Sequence, residues 1–205
     1  VDGGAGETLG LGTDTIAVWI CTIPGTSEPK TFTPEEVATW ATDEIAPFFA
    51  LISQGRYSIV FEAAGTFERE NDCLNEAIAR TTDARFTNTF VIDDTDNGGG
   101  LGGAGAWFLT NGSVRPVAPA SPPAESGRGF YVRGGMFELP ATAAHEIGHT
   151  LAWPHSGSST VGLEQYDNPG DLMSAHGIDN FCPVSPSTSR GPCRITHTIA
   201  FNRYT

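Results

Sequence analysis

The sequence alternates between short hydrophobic runs and polar, Gly-rich or Pro-rich segments, and this pattern predicts both strands and helices. Runs rich in β-branched and aromatic residues predict five strands, at residues 15–21, 57–61, 89–93, 106–110 and 130–133. Helical spacing of apolar residues and helix-start signals predict four helices, at about residues 33–53, 72–80, 140–151 and 195–204. Segments rich in Pro, Ser and Gly are expected to be loops, at residues 111–128 and 156–192.

The first predicted helix has clear signals at its start and in its middle. Thr33 can cap the helix, Pro34 suits its first turn, and Glu36 can complete a capping box. Pro47 interrupts the same apolar pattern and is expected to kink or split the helix, because proline removes a backbone donor.

The 205 residues are of a natural length for one domain, residues 1–205, built from two lobes. An N-terminal α/β lobe with the 140–151 helix is predicted at residues 1–155, and a loop-rich lobe at residues 156–205. No secretory signal is visible at Val1, which is consistent with a processed or trimmed chain.

The charge of the chain excludes some partners. The net charge is −13 and Lys30 is the single lysine, so a polyanion would be repelled. Nucleic acid and anionic membrane surfaces are therefore not expected as partners. No stretch approaches the ~18–20 apolar residues of a membrane span. A monomeric protein secreted to the extracellular space is the expectation.

The four cysteines are far apart in sequence and form no CxxC pair, so metal-binding knuckles are not expected. An even number of cysteines favours two disulfides and an oxidising compartment. Three connectivities are possible. The short Gly/Pro/Ser loop favours Cys182–Cys193, which leaves Cys21–Cys73 by elimination. The alternative is four buried thiols in a cytosolic protein.

The chemistry is concentrated in the run His145-Glu146-Ile147-Gly148-His149 of the predicted 140–151 helix. Residues four apart lie on nearly the same face of a helix, so His145 and His149 can direct their imidazoles to one ion. Glu146 is next to that face, where it can reach a metal-bound water. The alternative is a buried helix with hydrogen-bonded core histidines, which would be costly to bury without a metal.

A third ligand is expected where the helix has stopped. Pro154 enforces the stop, and His155 lies just beyond it. Three neutral imidazoles with an open fourth position are typical of catalytic zinc. The zinc-bound water, with its proton taken by Glu146, would then attack a peptide carbonyl. A structural alternative uses Glu164 as the third ligand.

This motif, HExxH with a third His at the offset of His155, resembles the metzincin clan of zinc endopeptidases. The run Tyr166–Met173 looks most like the gametolysin (autolysin)-type branch and its bacterial relatives. The resemblance implies an α+β fold with a twisted mixed sheet, a backing helix, an active-site helix and a C-terminal lobe that ends in a helix. It also implies that Met173 forms a hydrophobic floor, the Met-turn, under the zinc.

Two weaker patterns concern calcium and substrate. The oxygen-rich run of Asp93, Asp94, Asp96 and Asn97 can supply calcium ligands, or simply form a solvated turn. In a metzincin-like architecture, the strand near residues 104–109 would form the upper rim of the cleft and pair with an extended peptide or protein substrate.

The leading hypothesis is therefore a secreted zinc endopeptidase. The alternatives are a zinc amidase that acts on cell-wall or other non-protein amides, and a zinc-bound but inactive binding module. Retention of Glu146 argues against an inactive module.

Overall fold

The computed structural model describes residues 11–95, 100–103, 107–110, 113–116, 129–134, 140–151, 153 and 172–173. Seven strands and four helices lie within these ranges. The strands are β1 (Gly12–Thr22), β2 (Tyr57–Glu68), β3 (Asn88–Asp93), β4 (Gly100–Gly103), β5 (Trp107–Thr110), β6 (Ser113–Pro116) and β7 (Gly129–Val132). The helices are α1 (Pro34–Glu44), α2 (Ala46–Ile52), α3 (Cys73–Arg80) and α4 (Pro140–Thr150).

Five strands form one mixed sheet in the order β2-β1-β3-β7-β4. The first four of these strands are parallel, whereas β4 pairs antiparallel with β7 at the edge of the sheet. The sheet is thus mixed, as the sequence predicts, and mostly parallel. Of the predicted C-terminal lobe the structure describes Leu172 and Met173, and the predicted final helix lies outside the described residues.

Helices cover both faces of the sheet, which is the usual arrangement for parallel strands. Alternate residues of β1 point to opposite faces: Ile16, Val18 and Ile20 belong to the larger apolar cluster, and Trp19 and Cys21 to the smaller one. The larger cluster also contains the apolar residues of α1, α2 and α4, and the smaller one those of α3. The metal-motif helix therefore packs on the same face as α1 and α2.

The local signals in the first helical region are confirmed. The Thr33 side chain accepts a hydrogen bond from the Glu36 backbone N–H, and the Glu36 carboxylate accepts one from the Thr33 N–H. The helix divides at Ile45, between α1 and α2, two residues before Pro47. This split lets both segments turn apolar residues, among them Val37, Phe48 and Phe49, towards the sheet.

The structure of residues 100–128 differs in part from the prediction. The predicted 106–110 strand is present as β5, but it pairs with β6 in a separate two-stranded sheet, and the antiparallel edge strand of the main sheet is β4, at Gly100–Gly103. The predicted 111–128 loop also contains β6. Strand β4 forms because its backbone pairs with β7, and β6 forms because its backbone pairs with β5. Amino-acid composition predicts neither pairing.

One predicted disulfide is present. Cys21 of β1 and Cys73 of α3 are bonded and joined across 52 positions of sequence. Both cysteines are buried in the smaller cluster, beside Phe67 and Leu74. Cys182 and Cys193 lie outside the described residues.

Candidate metal centre

Helix α4 presents both histidines of the motif inside the protein. His145 and His149 are each 4% exposed, and their rings meet edge to face with centroids 4.8 Å apart. The helix continues through both residues because its apolar side, which includes Ala143, Ala144 and Ile147, is buried against the sheet. Burial fixes the two rings in one arrangement.

Each histidine has one ring nitrogen bonded to a backbone carbonyl. The Nδ1 atom of His145 is 2.8 Å from the Leu172 oxygen, and the Nδ1 atom of His149 is 2.9 Å from the Trp153 oxygen. A carbonyl oxygen only accepts, so both Nδ1 atoms donate, and in the neutral imidazole each Nε2 keeps its lone pair. Hydrogen bonding of this kind orients the histidine ligands of metals.

The two Nε2 atoms lie 3.1 Å apart. Two nitrogens that each lie about 2.0–2.1 Å from one zinc ion at a tetrahedral angle are about 3.3 Å apart. The observed separation is therefore close to that of two ligands of one zinc ion. This pair of residues fits a metal such as zinc in both geometry and donor chemistry.

Glu146 is buried beside this pair. Its side chain is 6% exposed, and its Oε2 atom has no hydrogen-bond partner among the described residues. Burial raises the pKa of the Glu146 carboxyl to about 8. Strand β4 also lies against Glu146, since a Cβ atom added at Gly100 would be 2.7 Å from Glu146 Oε1. The carboxyl group is thus held between α4 and the edge strand of the sheet.

Met173 lies beneath the helix that carries the histidines. Leu172 and Met173 form a turn, and both are fully buried. A Cβ atom at Gly148 would lie 2.5 Å from Met173 Sδ and 2.9 Å from Trp153 Cε3. The methionine therefore contacts the helix at Gly148, the residue before His149, and Leu172 supplies the carbonyl that orients His145.

Within the described residues, no third candidate ligand lies beside His145 and His149. No group of three or more His, Cys, Asp and Glu side chains is arranged to hold a metal ion within the ranges that the structure describes. His155 and Glu164, the two candidates for the third ligand, lie outside those ranges. The choice between them stays a prediction.

The calcium hypothesis also stays a prediction, but Asp93 and Asp94 already have other partners. Asp93 Oδ1 accepts hydrogen bonds from the Thr95 N–H and hydroxyl and from the Gly134 N–H, and its Oδ2 accepts one from the Tyr131 hydroxyl. Asp94 Oδ1 accepts from the Ile23 N–H at 2.9 Å. Both carboxylates thus have protein partners, and both residues are buried, so they do not form the solvated turn of the alternative hypothesis either. Asp96 and Asn97 lie outside the described residues.

Sequence reasoning missed several residues that shape the site. Gly148 is an isolated glycine within a helix. Such a glycine often has a packing reason, so close contact of another side chain with the helix at this position could have been predicted. A glycine in a strand likewise signals close backbone approach, but residue 100 gives no strand signal in the sequence. The two carbonyls that orient the histidines have no sequence signal.

Solved structures of other proteins match this chain. The chain resembles the crystal structure of metalloproteinase-II from Bacteroides fragilis, with 16% sequence identity and a TM-score of 0.39. The match covers 83% of this chain and 48% of the other, so this chain spans about half of that protein's length. No protein-family model matches the sequence, and no curated protein matches it. At this TM-score the similarity assigns neither a family nor a function.

Among the described residues, no helix is long and apolar enough to cross a membrane.

Proposed function

We propose that this protein is a zinc-dependent endopeptidase of the metzincin type, with His145, His149 and His155 as metal ligands and Glu146 as general base. The observation that carries the proposal is the convergence of the His145 and His149 Nε2 atoms, 3.1 Å apart. Their Nδ1 atoms are held by backbone carbonyls, so the lone pairs stay directed at one point.

When bound, zinc supplies a Lewis acid that polarises a carbonyl and lowers the pKa of water towards ~7. The residues of the chain do the rest. Glu146 lies on the same helix, one position after His145, and accepts the proton of the attacking water on its carboxylate. The same carboxyl then donates that proton to the leaving amine nitrogen. Its burial keeps bulk water away from the transfer.

The edge of the sheet supports an extended peptide as the substrate. Strand β4 is the last strand of the main sheet, and its first residue, Gly100, contacts Glu146. A peptide that adds to this edge by backbone hydrogen bonds would pass close to the base. We therefore propose Gly100–Gly103 as the rim, in place of the strand near residues 104–109 that the sequence suggested.

The Cys21–Cys73 disulfide supports the proposal that the protein works outside the cell, because disulfides persist in oxidising compartments. We propose that it acts there as a monomer on protein substrates, and that the acidic surface keeps nucleic acid and anionic membranes away.

Hydrolysis of casein with and without a zinc chelator tests the function. We expect cleavage that the chelator abolishes and that added zinc restores. If the folded, zinc-loaded protein cleaves neither casein nor a diverse peptide library, the endopeptidase proposal is wrong. An amidase or a binding module would then be the better explanation.

Zinc content of two variants tests the third ligand. We expect His155→Ala to lose zinc and Glu164→Ala to retain it, with both variants folded by circular dichroism. Loss of zinc only in Glu164→Ala would replace His155 with the glutamate in the ligand set.

A further inference from the structure

Two buried polar atoms on helix α4 have no hydrogen-bond partner among the residues that the structure describes. They are the Thr142 hydroxyl oxygen and Glu146 Oε2. Both side chains are more than nine-tenths buried, with Thr142 only 2% exposed. A buried polar group without a partner lowers stability, so such groups in a native structure require an explanation.

The helix places these two residues on one face. At 100° per residue, Thr142 lies about 60° around the axis from His145, between His149 at about 40° and Glu146 at about 100°. It therefore points to the same side as the metal-binding residues, one turn towards the N-terminus. Helical side chains lean towards the N-terminus, so the Glu146 side chain leans towards the turn that carries Thr142.

We propose that Thr142 is a positioning residue for the base, an inference that rests on the proposed function. Its hydroxyl donates a hydrogen bond to one bridging water molecule, which in turn donates to Glu146 Oε2 and so holds the carboxylate in the orientation that accepts the proton. One bridging water molecule then satisfies both atoms.

The surroundings of Glu146 explain why such a contact is needed. On one side, Gly100 leaves room for the carboxylate but presents no side chain that could bind it. Glu146 Oε2 accepts no hydrogen bond from any residue within the described ranges. Without the hydroxyl, the carboxylate could rotate away, and a misplaced catalytic group costs rate.

Two substitutions separate this role from simple packing. Thr142→Val keeps the shape of the side chain and removes the hydroxyl, whereas Thr142→Ser keeps the hydroxyl. We expect Thr142→Val to lower kcat on a peptide substrate by roughly 10- to 100-fold, with little change in KM. We expect Thr142→Ser to retain most of the wild-type kcat.

Stability and zinc content provide readouts that do not depend on activity. Thr142→Val should bind zinc as the wild type does, and its melting temperature should fall modestly, because it leaves the buried Glu146 Oε2 without its hydrogen bond, whereas Thr142→Ser should melt close to wild type. Thr150→Val is the matched control on the same helix. The Thr150 hydroxyl accepts from Asn88 Nδ2 at 3.0 Å and donates to the Ile147 carbonyl at 2.8 Å, so its loss should lower the melting temperature.

The outcomes distinguish the two claims. If the wild type cleaves peptides and Thr142→Val has the same kcat, the positioning role is wrong and the proposed function stands. If Thr142→Val and Thr142→Ser lose stability and activity together, Thr142 is a packing residue and the inference is also wrong. If the wild type cleaves nothing, the proposed function fails and takes this inference with it.

Discussion

Gly148 and Met173 are in contact at a distance that only glycine permits, since a Cβ atom at residue 148 would lie 2.5 Å from Met173 Sδ. The contact lies between His145 and His149 along helix α4, and Leu172, the neighbour of the methionine, orients His145 through its carbonyl. The turn at Leu172–Met173 and the histidine helix therefore form one packed unit, and a change in either should affect the other.

Gly148→Ala should destabilise the protein, against the usual rule for helices. Alanine in place of a helical glycine normally stabilises by about 1 kcal/mol. Here the added methyl group overpacks a buried contact, which typically costs about 1–3 kcal/mol. Urea unfolding should show a net loss, and the loss should be smaller in a Met173→Ala background. A more stable Gly148→Ala protein would show that the contact is not close.

Gly100→Ala should lower activity with little effect on stability. The new methyl group would lie 2.7–3.0 Å from the Oε1, Cγ and Cδ atoms of Glu146. The end of a glutamate side chain can move at low cost, so the base is displaced while the fold persists. We expect kcat to fall by roughly 10-fold or more, with zinc content and melting temperature close to wild type. Wild-type kcat in this variant would exclude Glu146 as a closely placed base.

The elements with local signals are the ones that the sequence predicts well. The capping box of Thr33 and Glu36, the interruption near Pro47 and the 140–151 helix depend on neighbours in sequence, and all three are present. The pairing of His145 and His149 also follows from helical spacing alone.

The errors arise where backbone pairing decides the structure. Strand β4 consists of glycines and one leucine, which have little strand preference, and it forms because its backbone pairs with β7. Its position next to Glu146 results from tertiary contacts, and the residues of β4 themselves do not predict it. The same holds for the carbonyls of Trp153 and Leu172, because any residue type can supply a carbonyl.

Removal of the Cys21–Cys73 disulfide should destabilise the protein strongly. The bond closes a loop across 52 positions, and the chain-entropy model gives about 4 kcal/mol for a loop of this length. Urea unfolding of the Cys21→Ala/Cys73→Ala variant should show a loss of that order. Peptide mapping without reducing agent should yield a fragment that joins Cys21 to Cys73, and the same map tests the Cys182–Cys193 prediction. A fragment that joins Cys21 to either C-terminal cysteine would contradict the structure.

Glu76 should make stability depend on acidic pH. Its carboxylate accepts a hydrogen bond from the Asn71 N–H at 2.6 Å, and further bonds from the N–H groups of Asp72 and Glu70. These bonds, with a smaller contribution from Arg80, hold the pKa of Glu76 below its usual value of 4.5. A carboxyl pKa that is lower in the native state than in the unfolded state stabilises the fold at pH values above the unfolded-state pKa. This stabilisation is lost as the pH falls through the native-state pKa.

Glu76→Gln provides the measurement. The variant should unfold at lower urea concentration than the wild type at pH 7, and the difference should shrink as the pH falls below about 4. A difference that is constant from pH 7 to pH 3 would mean that the charge of Glu76 does not contribute.

The most direct test of the metal-centre proposal combines zinc content with peptide hydrolysis in the wild type and in Glu146→Gln. The proposal predicts one zinc ion per chain in both proteins, with casein cleavage by the wild type and none by the variant. A variant that binds zinc and still cleaves casein at the wild-type rate would contradict the role of Glu146, and a folded wild type that binds no zinc would contradict the metal centre itself.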